Sequence, residues 1–357
     1  MIKTIQHWLS MALVNNTSWI GFFEPLVQLI FPFYRVNCYR ANVIGFRDEN
    51  SDVYTLILKV SRRWKGFKAG QYIELSTEVD GVNVTRIFSI SSTPQLHKIK
   101  RIIEVTIQKQ AHGRMTPWYR NGLKVGQYVS ISQSKGNFIV KNPKQKFLFI
   151  AAGSGITPLF SMLSEYESTA DIHLMYYAKE GMHLFEKELY KCQKFGKNIK
   201  ITLINSTQSG RISQHHLLQY CSDYTLRQSY ICGSPDMIVA AEKLLLSQKV
   251  VAEKIHFEYF SAKPLSDLSI DAAGTVSFER SSLAIDTHAK KQTLLELAES
   301  NGLKPTTGCR MGICHQCLCK KSQGVIYNTL TKTYSDTGSE EVQLCISIPV
   351  GDVSIKL

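Results

Sequence analysis

Cysteines are the residues of this chain best suited to redox or metal chemistry. There are nine, and five lie between 309 and 345. Cys309, Cys314 and Cys317 are spaced C-x4-C-x2-C, and Cys345 follows downstream. Three thiolates converging from one tight loop, with a fourth from a later strand, form a ligand set for a [2Fe–2S] cluster. Cluster sulfides accept backbone N–H groups, so the main chain must approach closely; Gly308 and Gly312 permit that. Zinc on four thiolates usually shows two C-x2-C pairs, and here there is one. Cys319 fits no ligand slot and reads as a spare thiol or small core residue. Cys38, Cys192 and Cys221 read as ordinary cysteines. Clustered thiols in a chain without a convincing secretory signal argue for a reducing compartment and against a disulfide framework.

A second constellation is Arg86-Ile87-Phe88-Ser89. An arginine neutralises a pyrophosphate, an aromatic ring stacks on an isoalloxazine, and a hydroxyl hydrogen-bonds flavin N5. About 25 residues later comes Gly113-Arg114-Met115-Thr116-Pro117. A glycine, a hydroxyl and a helix start there make a second phosphate contact. Each stretch alone is compatible with plain strand and turn chemistry; the two in order point to a flavin, FAD with FMN left open.

A third is Gly153-Ser154-Gly155-Ile156-Thr157-Pro158, between an apolar strand and a helix. Bare backbone at Gly153 and Gly155 lets a pyrophosphate reach a helix N-terminus. The full G-x-G-x-x-G pattern is not completed, because Pro158 and Leu159 stand where it would continue. Cys232-Gly233 ends another strand, where an uncharged thiol could rest near a nicotinamide. Lys179 suits the 2′-phosphate of NADPH, Glu180 suits the ribose of NADH, and Arg211 is a further phosphate candidate. The choice between NADPH and NADH stays open at this point.

Three kinds of element must position these groups. Residues 35–141 are rich in β-formers at 53–60, 71–75, 101–108 and 128–132, separated by turn residues and without amphipathic helices, which predicts a small antiparallel barrel. Residues 142–262 alternate strands (147–152, 172–177, 199–203, 229–232) with helices (159–166, 186–192, 237–246), which predicts βαβ units on a parallel sheet. A linker is expected over 263–274. Residues 275–357 form the last unit: a hairpin (276–280 and 283–287), a helix over 293–301, the cysteine loop and a closing strand over 352–357. Residues 1–34 are apolar, broken by Pro25 and Pro32, and fit short helices that pack on the body or rest at a membrane interface.

Composition bounds the rest. The chain has 357 residues, 44% hydrophobic and 20% charged, which excludes a mostly disordered protein and suits two or three domains. No apolar run reaches the roughly 18–20 residues that cross a bilayer. Net charge is +13, with 42 Lys+Arg against 29 Asp+Glu. Residues 275–357 carry 9 Lys+Arg and 8 Asp+Glu, so nearly all of the excess sits on the earlier parts, where dinucleotides and an anionic membrane face would be met. A nucleic-acid role would need a basic face interleaved with aromatics, and none is evident.

Over residues 36–357 the chain resembles the ferredoxin–NADP reductase superfamily with a C-terminal plant-type [2Fe–2S] ferredoxin domain of β-grasp type. The resemblance is carried by Arg86-Ile87-Phe88-Ser89, Gly113-Arg114-Met115-Thr116, the Gly153 loop, Cys232-Gly233, Phe257-Glu258-Tyr259-Phe260 and the four cysteines. It implies flavin-binding roles for Arg86, Phe88 and Ser89, and places Glu258 and Phe260 near the flavin. Ser89, Cys232 and Glu258 are then the expected catalytic residues. A narrower resemblance, through Arg62-Arg63-Trp64-Lys65-Gly66-Phe67, Ala69-Gly70-Gln71-Tyr72 and Cys309-Arg310-Met311-Gly312-Ile313-Cys314-His315-Gln316-Cys317, is to bacterial reductases that feed fatty-acid or acyl-CoA desaturases. His315 takes the place of a glycine common in ferredoxins and recurs in that subgroup.

The resemblance implies an NAD(P)H-dependent oxidoreductase that passes electrons through flavin and cluster to an external protein. That acceptor is expected to be a membrane desaturase, with the chain cytoplasmic or resting on the inner face of the membrane. Rival readings are the reductase of a Rieske-type oxygenase or of a hybrid-cluster protein and, in another class, a redox sensor without turnover. Plant-type clusters lie near about −400 mV, low enough to reduce many acceptors.

Overall fold

The computed structural model describes residues 38–79, 82–109, 115–260, 274–287 and 292–357. The segment 1–34 and, apart from Gly274, the linker expected over 263–274 lie outside the described residues. Alternating apolar side chains build the first sheet from β1 (Cys38–Asp48), β2 (Val53–Val60), β3 (Tyr72–Val79), β4 (Val82–Ser89), β5 (Ile102–Gln108) and β6 (Tyr128–Ser132). Their order is β4-β3-β6-β1-β2-β5, with every pairing antiparallel. The sheet closes on itself where Ile90 bridges Val105 and the Ser91 N–H donates to the Glu104 carbonyl at 2.9 Å. Tyr54, Leu56, Leu58, Ile73, Leu75, Ile103 and Val105 fill the interior.

Two short helices accompany the barrel: α1 (Pro94–Lys100), where the sequence suggested none, and α2 (Met115–Asn121), at the helix start expected beside Thr116. Seven residues are too few to display a 3.6-residue period. The legible signal for α1 was its start, where Thr93 caps the Leu96 N–H and Pro94 occupies the first turn.

The second sheet is parallel throughout. β7 (Lys146–Ala152), β8 (Asp171–Ala178), β9 (Asn198–Asn205), β10 (Gln228–Gly233) and β11 (Ile255–Tyr259) lie in the order β11-β10-β7-β8-β9. Helices α3 (Ile156–Tyr166), α4 (Glu186–Phe195), α5 (Gln214–Tyr220) and α6 (Pro235–Ser247) connect the strands. Phe147 and Phe149 join one buried cluster while Leu148 and Ile150 join another. Burial on both faces explains why β7 is continuously apolar and not alternating. From β7 the chain winds outward to β9, then crosses to β10 on the other side. This reversal opens a crevice at the strand ends between β7 and β10, which is where such sheets receive ligands.

The third sheet has β12 (Thr275–Phe278), β13 (Leu283–Asp286), β14 (Leu318–Asn328), β15 (Thr333–Tyr334), β16 (Glu340–Gln343) and β17 (Ser347–Ile355). β12 and β17 run parallel, and β14 pairs with β17, β15 and β16. Helix α7 (Leu294–Ser300) starts in a reciprocal cap between Thr293 and Glu296 and buries Leu294, Leu295 and Leu297. The closing strand begins five residues earlier than expected, at Ser347. The 11-residue β14 escaped the sequence reading because Lys320, Lys321, Ser322 and Gln323 hide its pattern. Lys321 is fully buried, with Nζ donating to the carbonyls of Gly324, Asp336 and Gly338 at 2.6–2.7 Å, which ties the loop before β16 to β14.

Candidate active site

The cysteine loop runs from the end of α7 to β14. Its amides turn inward: Cys309 Sγ accepts N–H groups from Met311, Ile313 and Cys314 at 3.3–3.4 Å, and Cys314 Sγ accepts that of Cys309 at 3.1 Å. Positive φ at Arg310 (59°), Gly312 (76°) and His315 (57°) produces those turns. A Cβ at Gly308 would overlap Cys314 Sγ and the Gln316 amide, so glycine is required by space there. The fourth cysteine, expected on a strand, sits in the single 3₁₀ turn Leu344–Ile346 between β16 and β17, which the register of β16 on β14 positions. Leu318 lies opposite Gln343, the Leu344 N–H donates to the Cys317 carbonyl at 3.1 Å, and Cys345 Sγ comes to 3.3 Å from Cys317 Sγ. Gly312 N–H donates to Cys345 Sγ at 3.3 Å. The hydrogen bond with Cys314, assisted by backbone N–H groups, favours the thiolate at Cys309 and lowers it from its ordinary value. Two thiol pairs, Cys309 with Cys314 and Cys317 with Cys345, ringed by backbone N–H groups, suit a two-iron cluster whose sulfur atoms need those donors. Cys319 stays apart, half-buried, with Sγ donating to the Lys356 carbonyl at 3.4 Å.

A cavity of about 250 Å³ lies between barrel and cysteine loop. Arg86, Phe88 and Ser89 from the end of β4, Thr116 from α2, and Ser154 and Thr157 at the start of α3 line it, with Glu258 and Phe260 at the end of β11. Met311 and Ile313 of the cysteine loop form its far wall. Arg86 ties the two sides together, its Nη1 donating to the Thr85 carbonyl at 2.8 Å and to the Gly308 carbonyl at 3.0 Å. Ser89 Oγ donates to Glu258 Oε2 at 3.3 Å. Burial pushes the Glu258 carboxyl up to about 8, against the opposing pull of the Ser89 hydrogen bond. Cys232 lies directly opposite Glu258 in the β10–β11 register. Its thiol is fully buried, and burial raises it well above its ordinary value, so it remains a neutral SH.

The crevice between β7 and β10 forms a second cavity of about 560 Å³. Ala152, Gly153, Ser154, Gly233 and Ser234 line its base, and Lys179, Ser206, Gly210 and Arg211 line its outer part. Both cavities share Gln108, Ser154 and Phe260. A group held in the crevice therefore reaches the barrel cavity past the Phe260 ring.

Most of the residues singled out from the sequence come together in these places. Gly155, Pro158 and Cys232 line neither cavity. A Cβ on Gly155 would overlap the Cys232 carbonyl, so that glycine serves strand-to-helix packing, and Pro158 is buried within α3. Gly113 and Arg114 lie outside the described residues, and Met115 is placed by its backbone at the start of α2. Sequence reasoning missed Tyr72, Thr106, Gln108, Ser206, Met311 and Ile313. Thr106 and Gln108 were legible as polar alternate positions on β5; Met311 and Ile313 sit within the cysteine motif but make sense only once the two domains are in contact.

The chain matches three family models in order: an oxidoreductase FAD-binding domain over residues 41–139, an oxidoreductase NAD-binding domain over 149–243, and a 2Fe-2S iron-sulfur cluster binding domain over 278–350. It is 28% identical over 335 residues to an NADPH oxidoreductase of Mycobacterium tuberculosis, covering 92% of this chain and 87% of that one. It is 26% identical over 326 residues to a glycine betaine monooxygenase reductase subunit of Chromohalobacter salexigens, covering 81% and 87%. Among solved structures, phthalate dioxygenase reductase shares the fold with a TM-score of 0.59 at 17% identity, over 89% of this chain and 98% of that one.

Proposed function

The chain belongs to the ferredoxin–NADP reductase superfamily with a C-terminal [2Fe–2S] domain, and from that premise we propose that it draws electrons from NADPH for an oxygen-activating iron protein. At the coarser level it is an oxidoreductase that takes electrons from a pyridine nucleotide and delivers them to a protein acceptor. When bound, FAD converts the paired electrons of a hydride donor into the single electrons that a [2Fe–2S] centre carries. Continuity of the sites supports the reading best: Met311 and Ile313 wall the cavity that holds Arg86, Phe88 and Ser89, and that cavity opens past Phe260 into the crevice.

The residues divide the work. Arg86 holds Gly308 of the cysteine loop and would neutralise a flavin phosphate, joining the residues that would hold flavin to those that would hold the cluster. Phe88 would pack on the flavin ring, and Ser89 with Glu258 holds a proton at the cavity wall. Cys232, neutral and uncharged behind Glu258, leaves the hydride path free of a competing nucleophile. Phe260 lines both cavities, so an entering nicotinamide would have to pass its ring. Lys179, Ser206 and Arg211 favour the 2′-phosphate of NADPH. Glu180, the candidate for an NADH ribose, is instead directed at the Asn205 amide at 3.5 Å.

Two acceptor classes fit. The stretches Arg62-Arg63-Trp64-Lys65-Gly66-Phe67 and Cys309 to Cys317 support a membrane fatty-acid desaturase. Relatives named as reductase components of glycine betaine monooxygenase and 3-ketosteroid-9-alpha-monooxygenase support an oxygenase. Anaerobic mixing of the purified holoprotein with NADPH or NADH tests the core reading. Flavin and cluster absorbance bleach in turn, faster with NADPH; no bleaching with either nucleotide rejects the scheme. Turnover with a purified desaturase and with a Rieske-type oxygenase then separates the acceptors.

A further inference from the structure

Two neighbouring segments of the barrel carry a concentration of positive charge that electron transfer does not use. The loop 61–68 exposes Arg62, Arg63, Lys65 and Lys68, and α1 exposes Lys98 and Lys100. No Asp or Glu occurs in residues 53–73 or 82–103. Among the described residues none of these six cations has an ion-pair partner, so the charge of the face is not neutralised locally.

Loop and helix form one surface. Trp64 is buried and anchors the loop, its Nε1 donating to the Ser132 carbonyl at 2.9 Å. Its ring meets that of His97 in α1 edge-on with centroids 4.9 Å apart, and the Phe67 ring lies 6.4 Å from the same imidazole. The Val60 N–H donates to the Arg101 carbonyl at 2.9 Å, joining the root of the loop to the end of the helix. At the crest Ile99 is 68% exposed, between Lys98 and Lys100.

We propose that this face seats the protein on an anionic lipid bilayer. A dense field of one sign, with no acidic residue in either segment, matches a laterally uniform anionic surface. An acidic patch on a protein would match the same charge, so the apolar crest at Ile99 is what favours a bilayer. An exposed isoleucine flanked by lysines suits the boundary between headgroups and acyl chains. None of the six cations lines the barrel cavity, the crevice or the pocket beside Cys317. A bilayer contact here therefore leaves the nucleotide's access and the cluster's surroundings uncovered. The face lies wholly within described residues and does not depend on residues 1–34.

The experiment is flotation of the full-length holoprotein with vesicles of phosphatidylcholine alone or mixed with phosphatidylglycerol. The protein is expected to float with the mixed vesicles, to stay behind with the neutral ones, and to release in high salt. In R62Q/R63Q/K98Q/K100Q, partitioning onto the mixed vesicles falls by about a hundredfold or more, each cation near an anionic leaflet being worth roughly fivefold. NADPH–ferricyanide activity stays unchanged in that variant and reports that it has folded; K98Q/K100Q, with a smaller loss of binding, serves if the fourfold variant does not fold. Equal flotation of wild type and variant, equal binding to neutral vesicles, or no binding to mixed vesicles overturns the proposal. Retention of the wild type on immobilised polyglutamate without vesicle binding reassigns the face to an acidic protein.

Discussion

The cysteine loop and the nucleotide crevice hold their groups by opposite means. In the loop, the ligands crowd into nine residues plus Cys345, the amides are already aimed at sulfur, and a Cβ at Gly312 would overlap Ile346. In the crevice, contributions come from six separate strand ends and the loops after them, and a Cβ at Gly153 or Gly210 would meet nothing within 4 Å. The first is closed by packing and suits a resident group. The second is left open and suits a substrate that must leave after each turnover. Constraint is therefore local where binding is permanent and distributed where binding is transient.

Paired glycine substitutions put the largest strain on that contrast. Gly312 (φ 76°) and Gly210 (φ 73°, ψ −159°) both hold a positive φ that alanine disfavours, at a cost of about 1–3 kcal/mol each in conformation. Gly312→Ala adds an overlap with the Ile346 side chain inside the cluster ring, whereas Gly210→Ala meets open space. G312A is expected to lose most of its iron and its reductase activity toward protein acceptors, and G210A to keep its iron with a raised KM for NADPH. Iron content per chain and visible absorbance decide it; a fully loaded G312A breaks the comparison.

The barrel cavity stands between the two regions, and Glu258 is its titrating group. Burial raises its carboxyl from 4.5 to about 8, so it holds a proton at neutral pH and loses it as pH rises through about 8. The rate of flavin reduction by NADPH is expected to fall over that alkaline limb. E258A lowers the rate by about 10²-fold, and E258Q, neutral at every pH, flattens the limb. The same group makes a stability contribution that is complete below pH 4.5 and is lost as pH rises through about 8, because the folded state binds its proton more tightly than the unfolded chain does. Urea midpoints of wild type and E258Q should therefore diverge in that window. Persistence of the alkaline limb in E258Q removes Glu258 from the reaction.

A smaller effect is expected on the open side. Arg211→Gln removes one cation from the outer crevice. A charge-assisted hydrogen bond is worth about 1.5–3 kcal/mol, so KM for NADPH rises roughly tenfold to a hundredfold while that for NADH hardly moves. Equal effects on both nucleotides would falsify the 2′-phosphate assignment.

What was legible in the sequence follows the same division. Cys309, Cys314 and Cys317 point to a cluster by spacing alone, because their geometry is set within one loop. Arg86, Phe88 and Ser89 were legible as a short strand motif, but the bond from Arg86 to the Gly308 carbonyl joins residues 222 apart and has no local trace. Met311 was visible as part of the cysteine motif and invisible as a cavity wall. In the fold, β7 and its glycine turn stood out because burial on both faces makes a continuous apolar run. α1 and β14 did not, since the first is too short for periodicity and the second carries a buried lysine where a hydrophobic residue would be expected.

His315 tests the finest point of the comparison. It stands where ferredoxins commonly have glycine, and its φ of 57° explains why glycine is common there: the left-handed region is open to glycine without a Cβ penalty. Histidine is among the side chains that tolerate this region best, so the strain it stores is modest. H315G relieves that strain but also frees the unfolded chain, and the two effects oppose each other. The net change in stability is expected to stay within about 1 kcal/mol, with cluster content intact. The side chain is exposed, so its replacement leaves the inward-facing amides where they are. If H315G instead sheds its iron under conditions where the wild type keeps it, the imidazole itself protects the cluster, and the loop is not held by backbone geometry alone.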